Sequence, residues 1–220
     1  VQARWRGRVA RVALSVLLAN TIANPIRRLA EAADPEGTSF SRPLNPDRVE
    51  IDWSPWTSPS GGFPAIGNAM VSRDAAKLME QAESDDSANT DLVGVTGYCM
   101  SGPFALWLAA DYPEKIKAAA SIHGVRLATD ADDSPHTRAA QIDGEVLVLA
   151  AEFDDWVDKP HFDRLTDALI NADVSHYAEW VDGVHHGFVF SQRAKYDKAA
   201  SERHWELLHS LFDRNLKSSA

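Results

Sequence analysis

The sequence predicts an α/β fold in which a mostly parallel sheet carries helices on both faces. Three observations predict it. From residue 92 onward, short apolar runs alternate with stretches of helical periodicity, the pattern of successive βα units. The 220 residues are enough to bury one sizeable core, and the 45% hydrophobic and 25% charged content is ordinary for a soluble globule. One strand-to-helix junction, Gly97-Tyr98-Cys99-Met100-Ser101-Gly102, holds the only cysteine.

At the N-terminus, Arg4, Arg6, Arg8 and Arg11 precede an apolar run at 12–19. That layout fits a signal peptide's basic and apolar regions or a buried parallel strand. The run is too short to span a bilayer, and the strand is the expectation. An amphipathic helix is expected at 26–33. Residues 34–69 are rich in Pro, Gly and Ser, and Pro35, Pro43, Pro46, Pro55, Pro59 and Pro64 preclude long regular elements. Trp53, Trp56 and Phe63 in this segment suit either a lid over a substrate pocket or a surface excursion that buries its aromatics locally or meets a partner. The surface excursion is preferred. Ser72 is placed to cap a helix carrying Ala75, Leu78, Met79 and Ala82.

Strands follow at 92–96, 118–122, 146–151 and about 176–181, with helices at 103–112 and 161–172. Pro103 suits a first helical turn, where its missing N–H costs little. In the last helix Trp205, Leu208, Phe212 and Leu216 recur at helical spacing, with Glu202, Arg203, Glu206 and Asp213 on other faces. The apolar face is expected to dock on the sheet. One domain over 1–220, interrupted by the irregular segment 34–69, is the expected organisation; there is no internal repeat or low-complexity tract.

A net charge of -10 and a pI near 5.2 argue against a nucleic-acid partner or an anionic membrane surface. A single cysteine excludes an internal disulfide framework and a multi-cysteine zinc site, and fits a reduced, cytoplasmic compartment.

The chemistry centres on Cys99. An apolar run (Leu92, Val93, Val95) leads into the turn and a helix-like run leads out, so the thiol stands at the apex of strand, sharp turn and helix. A nucleophile elbow needs small residues flanking it, here Gly97, Ser101 and Gly102. Backbone N–H groups after the nucleophile, at a helix N-terminus, lower a thiol's pKa and stabilise an oxyanion. A lone cysteine is more often a small buried hydrophobe, so the reading needs a base and an acid. Past the strand at 146–151 comes Glu152-Phe153-Asp154-Asp155, and past the next comes Asp182-Gly183-Val184-His185-His186-Gly187-Phe188. Taken alone, Asp154 and Asp155 read as helix-capping acids and the histidines as loop residues. Together, the order nucleophile, acid, histidine along successive strands is the α/β-hydrolase order.

These residues resemble the dienelactone hydrolase family. The resemblance rests on the elbow at Cys99, the Glu152-x-Asp154-x-x-Val157 run, His186-Gly187-Phe188, and the tail Tyr196-Asp197-Lys198-Ala199-Ala200 through Glu202-Arg203-His204-Trp205. It covers roughly residues 90–217. It implies an α/β-hydrolase fold and a cysteine hydrolase that opens lactones or cleaves small esters through a thioester. Cys99 would be the nucleophile, Asp154 the acid and His186 the base, preferred over His185 because Gly187 and Phe188 follow it. The Met100 N–H would contribute to the oxyanion hole, and no metal or organic cofactor would be needed. A small-molecule ester or lactone is the expected partner, with the chain acting as a monomer or homodimer.

The segment Ser121-Ile122-His123-Gly124 through Asp133-Ser134-Pro135-His136 resembles a loop of some members. There His123 either approaches the site or is a buried, hydrogen-bonded histidine, and the second reading is preferred. Other features depart from the family. Residues 17–22 stand where members supply a second oxyanion N–H, and lack the acidic residue some place there. No following strand is recognisable, so the N-terminal strands are expected to be truncated or divergent. Ser101 replaces a common glycine, and Phe190 stands where members that bind dienelactone often carry an arginine for the substrate carboxylate. Arg126 or Arg193 are the candidate substitutes. Two alternative functions stay open: a catalytically weak or inactive relative serving as a binding module, and a thioesterase using the same three residues.

Overall fold

The computed structural model describes residues 10–16, 67–84 and 88–216. The expected helix at 26–33, the Pro-rich stretch up to residue 66 with Trp53, Trp56 and Phe63, and the loop at 17–22 lie outside the described residues. Strand β1 spans Ala10–Val16, helix α1 Asn68–Glu83 and strand β2 Ala88–Tyr98. Helix α2 follows at Gly102–Asp111, then strands β3 at Ile116–Ile122 and β4 at Glu145–Phe153. Helix α3 covers Lys159–Asn171, strand β5 His176–His185 and helix α4 Lys198–Asn215. These residues fall into two compact units: α1 belongs to one, and most of the sheet with α2, α3 and α4 to the other.

Helix α1 starts earlier than its sequence suggests. Its N-cap is Gly67, whose carbonyl accepts from the N–H groups of Met70 and Val71. Ser72 lies a turn inside the helix and is buried with Val71, Ala75, Met79 and Ala82. The expected cap is therefore an interior helical residue: residues 71, 75, 79 and 82 repeat at helical spacing from just before the serine, and the helix begins a turn ahead of it.

The sheet has the order β1-β2-β3-β4-β5, and the pairs from β2 to β5 are parallel. β3 and β4 are apolar almost throughout and nearly fully buried, as strands covered on both faces must be. Side chains alternate between faces, so Ala118, Ala120 and Ile122 of β3 and Leu147, Leu149 and Ala151 of β4 share one face. There they meet Leu208, Leu211 and Leu216 from the α4 segment, with Tyr98, Val184 and Phe188.

The docking face of α4 is rotated from the expected one. Ser201, His204, Leu208 and Leu211 are buried, whereas Trp205 is 47% exposed. The cause is His204: its Nε2 lies 2.9 Å from the Tyr98 hydroxyl and its Nδ1 3.1 Å from the Ser201 carbonyl. Burial pushes the Tyr98 phenol up to about 12 and His204 down to about 4. A neutral His204 therefore donates from Nδ1 to Ser201 and accepts from Tyr98 at Nε2. A satisfied histidine takes the inward slot, and the larger indole stays at the surface, tilted against the His204 ring.

The register brings the strand ends level. Tyr98 pairs with Ile122, Ile122 with Leu149, and Phe153 with His185. Tyr98, Ile122, Phe153 and His185 are the last residues of β2, β3, β4 and β5. Cys99, His123, Asp154 and His186 are thus each the first residue beyond a parallel strand, along one edge of the sheet. Open α/β sheets bind ligands at this carboxyl edge. Among the described residues, no helix is long and apolar enough to cross a membrane.

Candidate active site

Cys99 opens a single 3-10 turn, Cys99–Ser101, and has a positive φ of 55°. This left-handed backbone is costly for a residue with a Cβ, and such strain clusters at functional sites. Ser101 holds the turn closed: its hydroxyl accepts from the Tyr98 N–H at 2.8 Å and donates to the Tyr98 carbonyl at 2.8 Å. The serine that departs from the family pattern is thus the clasp of this elbow. Gly97 is required by space, since a Cβ there would stand 2.1 Å from the Ser101 carbonyl oxygen. We expect Gly97→Ala to lower stability in urea denaturation by about 3 kcal/mol, because the clash is with backbone that cannot rotate away. A Cβ on Gly102 would meet the Gly124 Cα and the Ser121 hydroxyl, both at 2.5 Å, which lets α2 start flush against the loop after β3.

Asp154 and His186 meet at the ends of β4 and β5. Asp154 Oδ2 lies 2.7 Å from His186 Nδ1, and Oδ1 accepts from the Trp156 N–H at 2.9 Å. The carboxylate side chain is 1% exposed. A carboxylate only accepts, so Nδ1 carries a proton and donates it to Asp154, while Nε2 is turned away from the carboxylate. The His186 N–H donates to the Phe153 carbonyl at 2.9 Å, tying the histidine loop to the end of β4. Trp156 packs edge-on against the imidazole with ring centres 4.6 Å apart. His185 turns away and lies 4.8 Å from the Phe153 ring. Glu152 accepts from the Gly183 N–H, and Asp158 caps α3 by accepting from the His161 N–H. The helix-capping role thus falls to Asp158, leaving Asp154 to the histidine.

The remaining imidazole nitrogen faces the thiol. His186 Nε2 is buried, has no partner of full hydrogen-bond geometry among the described residues, and interacts with Cys99. Burial works to raise the Cys99 thiol, but the His186 imidazole, the Met100 N–H and the Arg193 charge outweigh it and hold the thiol below its usual value. Burial likewise opposes charge on His186, and Asp154 and Cys99 outweigh it, lifting the imidazole to about 9. Both shifts run in the same direction, each favouring the thiolate–imidazolium form of the pair. Alkylation of Cys99 by iodoacetamide should accordingly rise with pH through an inflection below the ordinary thiol value of about 8.5. In His186→Gln that inflection should move upward, as the counter-charge is lost.

The Arg193 charge acts on the thiol after His186 and the Met100 N–H, and its guanidinium stands 5.4 Å from the centre of the Phe190 ring. Arg126 lies exposed in the loop after β3, whose Val125 N–H donates to the Cys99 carbonyl. His123 is buried as expected, but neither ring nitrogen has a hydrogen-bonded neighbour among the described residues, and its ring lies 4.8 Å from that of His186. Trp156 was not foreseen beside the imidazole; the available signal was its place two residues after Asp154, which lets its N–H close an Asx turn on the carboxylate.

A parallel sheet with a cysteine on a sharp strand-to-helix turn after one strand, and an aspartate and a histidine after two later ones, has the layout of an α/β-hydrolase fold. The dienelactone hydrolase family model matches residues 64–216, and the chain belongs to that family. It is 31% identical over 172 residues to the carboxymethylenebutenolidase of Rhodococcus opacus, covering 70% of this chain and 68% of that protein. A Synechocystis sp. protein provisionally assigned as carboxymethylenebutenolidase is 26% identical over 153 residues, covering 68% of this chain and 61% of its own length. Among solved structures, one from Klebsiella pneumoniae subsp. pneumoniae, provisionally assigned as a dienelactone hydrolase, superposes with a TM-score of 0.63 at 21% identity. That match covers 68% of this chain and 63% of the Klebsiella chain.

Proposed function

We propose that this member of the dienelactone hydrolase family hydrolyses a lactone or small carboxylic ester by covalent catalysis through Cys99, His186 and Asp154. One observation carries the reading: a buried carboxylate holds the imidazole at 2.7 Å, leaving its other nitrogen for a thiol on a strained, left-handed apex. Three residues from three strand ends would not converge so for packing alone.

In acylation the Cys99 thiolate attacks the carbonyl carbon, and the carbonyl electrons move onto oxygen. The Met100 N–H, which interacts with the sulfur in the free protein, is placed to share in binding that oxyanion. One such donor is typically worth about 3 to 4 kcal/mol of barrier. The intermediate collapses as His186 gives its proton to the leaving alkoxide, and the alcohol departs, or stays tethered in a lactone. His186 is then neutral and serves as base for water. Water adds to the thioester, the C–S bond breaks, and the acid leaves with the thiolate–imidazolium pair restored. Asp154 steadies the imidazolium whenever it forms. A thiol that must stay reduced suits a cytoplasmic location.

Turnover of a short chromogenic ester and of a dienelactone, each with and without Cys99, tests the proposal. Cys99-dependent release of product from either substrate supports it. A well-folded chain that hydrolyses neither, and forms no acyl adduct on Cys99, would overturn it.

A further inference from the structure

Two polar side chains meet in the core beside the nucleophile. The Tyr98 hydroxyl lies 2.9 Å from His204 Nε2, although the residues are 106 positions apart. Both are buried, at 7% and 1% exposure. His204 Nδ1 lies 3.1 Å from the Ser201 carbonyl on its own helix, which fixes where Nε2 points. Packing does not require this pair. Phenylalanine and leucine would fill the two places without burying polar groups, and removing both partners of such a bond is commonly near neutral for stability. What an apolar pair lacks is direction, because a satisfied buried hydrogen bond holds its partners in one arrangement.

The direction matters because of where Tyr98 stands. It is the last residue of β2, one peptide bond before Cys99. Its N–H and carbonyl are both clasped by the Ser101 hydroxyl. Its main chain is thus held at one end and its hydroxyl at the other. The ring between them borders His123 and Phe190, at 6.1 and 5.9 Å between centres. His123 in turn packs edge-on against His186 at 4.8 Å. Tyr98 therefore joins the backbone that carries the thiol to the aromatic wall beside the imidazole.

We propose that His204 is a positioning residue: through its hydrogen bond to Tyr98 it fixes the elbow, and with it the placement of Cys99 against His186. This rests on the hydrolase reading above. Burial keeps the phenol protonated and His204 neutral, so the hydroxyl donates to Nε2 throughout the neutral range. The Thr96 hydroxyl also acts on the phenol, and substitutions at 204 leave it in place. His204 meets no reacting atom, and its effect is geometric. A misplacement of about 1 Å between reacting groups costs about a hundredfold in rate.

The test compares the wild type with Tyr98→Phe, the double variant Tyr98→Phe/His204→Leu, and His204→Gln. Hydrolysis of p-nitrophenyl acetate, the pH profile of Cys99 alkylation by iodoacetamide, and a melting curve are read for each. In the double variant the melting transition should stay close to the wild type, while kcat falls at least about tenfold with KM within about twofold. Its alkylation inflection should rise toward the ordinary thiol value of about 8.5. Tyr98→Phe, which keeps the ring, should show the same kinetic change. His204→Gln, whose amide oxygen accepts from the phenol, should keep kcat within about threefold of the wild type. Wild-type kcat and an unmoved inflection in Tyr98→Phe and the double variant would overturn the proposal and leave the pair a packing feature. His204→Gln as impaired as the double variant would overturn it too, since the hydrogen bond would not be the cause. A wild type that turns over no ester would overturn the hydrolase reading instead, and the alkylation inflections would still decide whether His204 positions the thiol.

Discussion

Cys99→Ala will reduce hydrolysis of a responsive ester by about a hundred-thousand-fold or more while leaving the thermal transition close to that of the wild type. The magnitude follows from removing the one atom that makes the covalent bond. In nucleophile–base–acid sites the residues act as a unit, and loss of the nucleophile costs nearly as much as loss of the whole set. What remains is the contribution of binding and of the Met100 N–H, on the order of a thousandfold over water. The small effect on stability is as specific. Cys99 is only partly buried, and alanine keeps the Cβ that the strained apex already tolerates. The clasp between Ser101 and Tyr98 does not involve the thiol, so the elbow stays closed in the variant. Rates at saturating ester, with a melting curve on the same sample, check both halves. Turnover that survives the substitution would mean that another group does the chemistry.

Much of this site was legible in the sequence because it is built from local rules. A short apolar run, a glycine-flanked turn and a helix dictate an elbow whatever surrounds them, and the strands after residue 92 appear within a few residues of their expected limits. The meeting of Asp154 and His186 was legible because parallel strands deliver their following residues to one edge of the sheet. What the sequence concealed depends on partners distant along the chain. Trp205 has the periodicity of a docking residue, yet it lies outward because His204 finds Tyr98, 106 residues away. Ser72 looks like a cap because nothing local distinguishes a capping serine from one tucked into a buried stripe. His123 reads as an ordinary buried histidine until the structure shows that, among the described residues, its ring packs edge-on against His186 and no side chain or strand pairs with its nitrogens.

Asp154→Asn should lower kcat by about ten-thousand-fold at neutral pH, and the loss should shrink as pH rises. The two substituents are nearly the same size, so the Trp156 N–H keeps an oxygen to donate to and the loop is expected to hold its shape. The change is in what faces His186 Nδ1. An amide N–H there makes Nδ1 an acceptor and moves the proton of the neutral imidazole to Nε2, the nitrogen that must be bare when His186 serves as base for water. The carboxylate is also what lifts His186 to about 9 against the effect of burial, so the imidazolium form loses its main support. With it goes the counter-charge that holds the thiol down. At pH 7 the variant therefore starts from a neutral thiol and a misdirected imidazole. Above the ordinary thiol range Cys99 ionises unaided, so acylation should partly recover and the gap to the wild type should narrow. A pH series of burst rates for both proteins measures this directly. A gap that is constant with pH would limit Asp154 to orienting the ring, whereas no gap at all would remove it from the site.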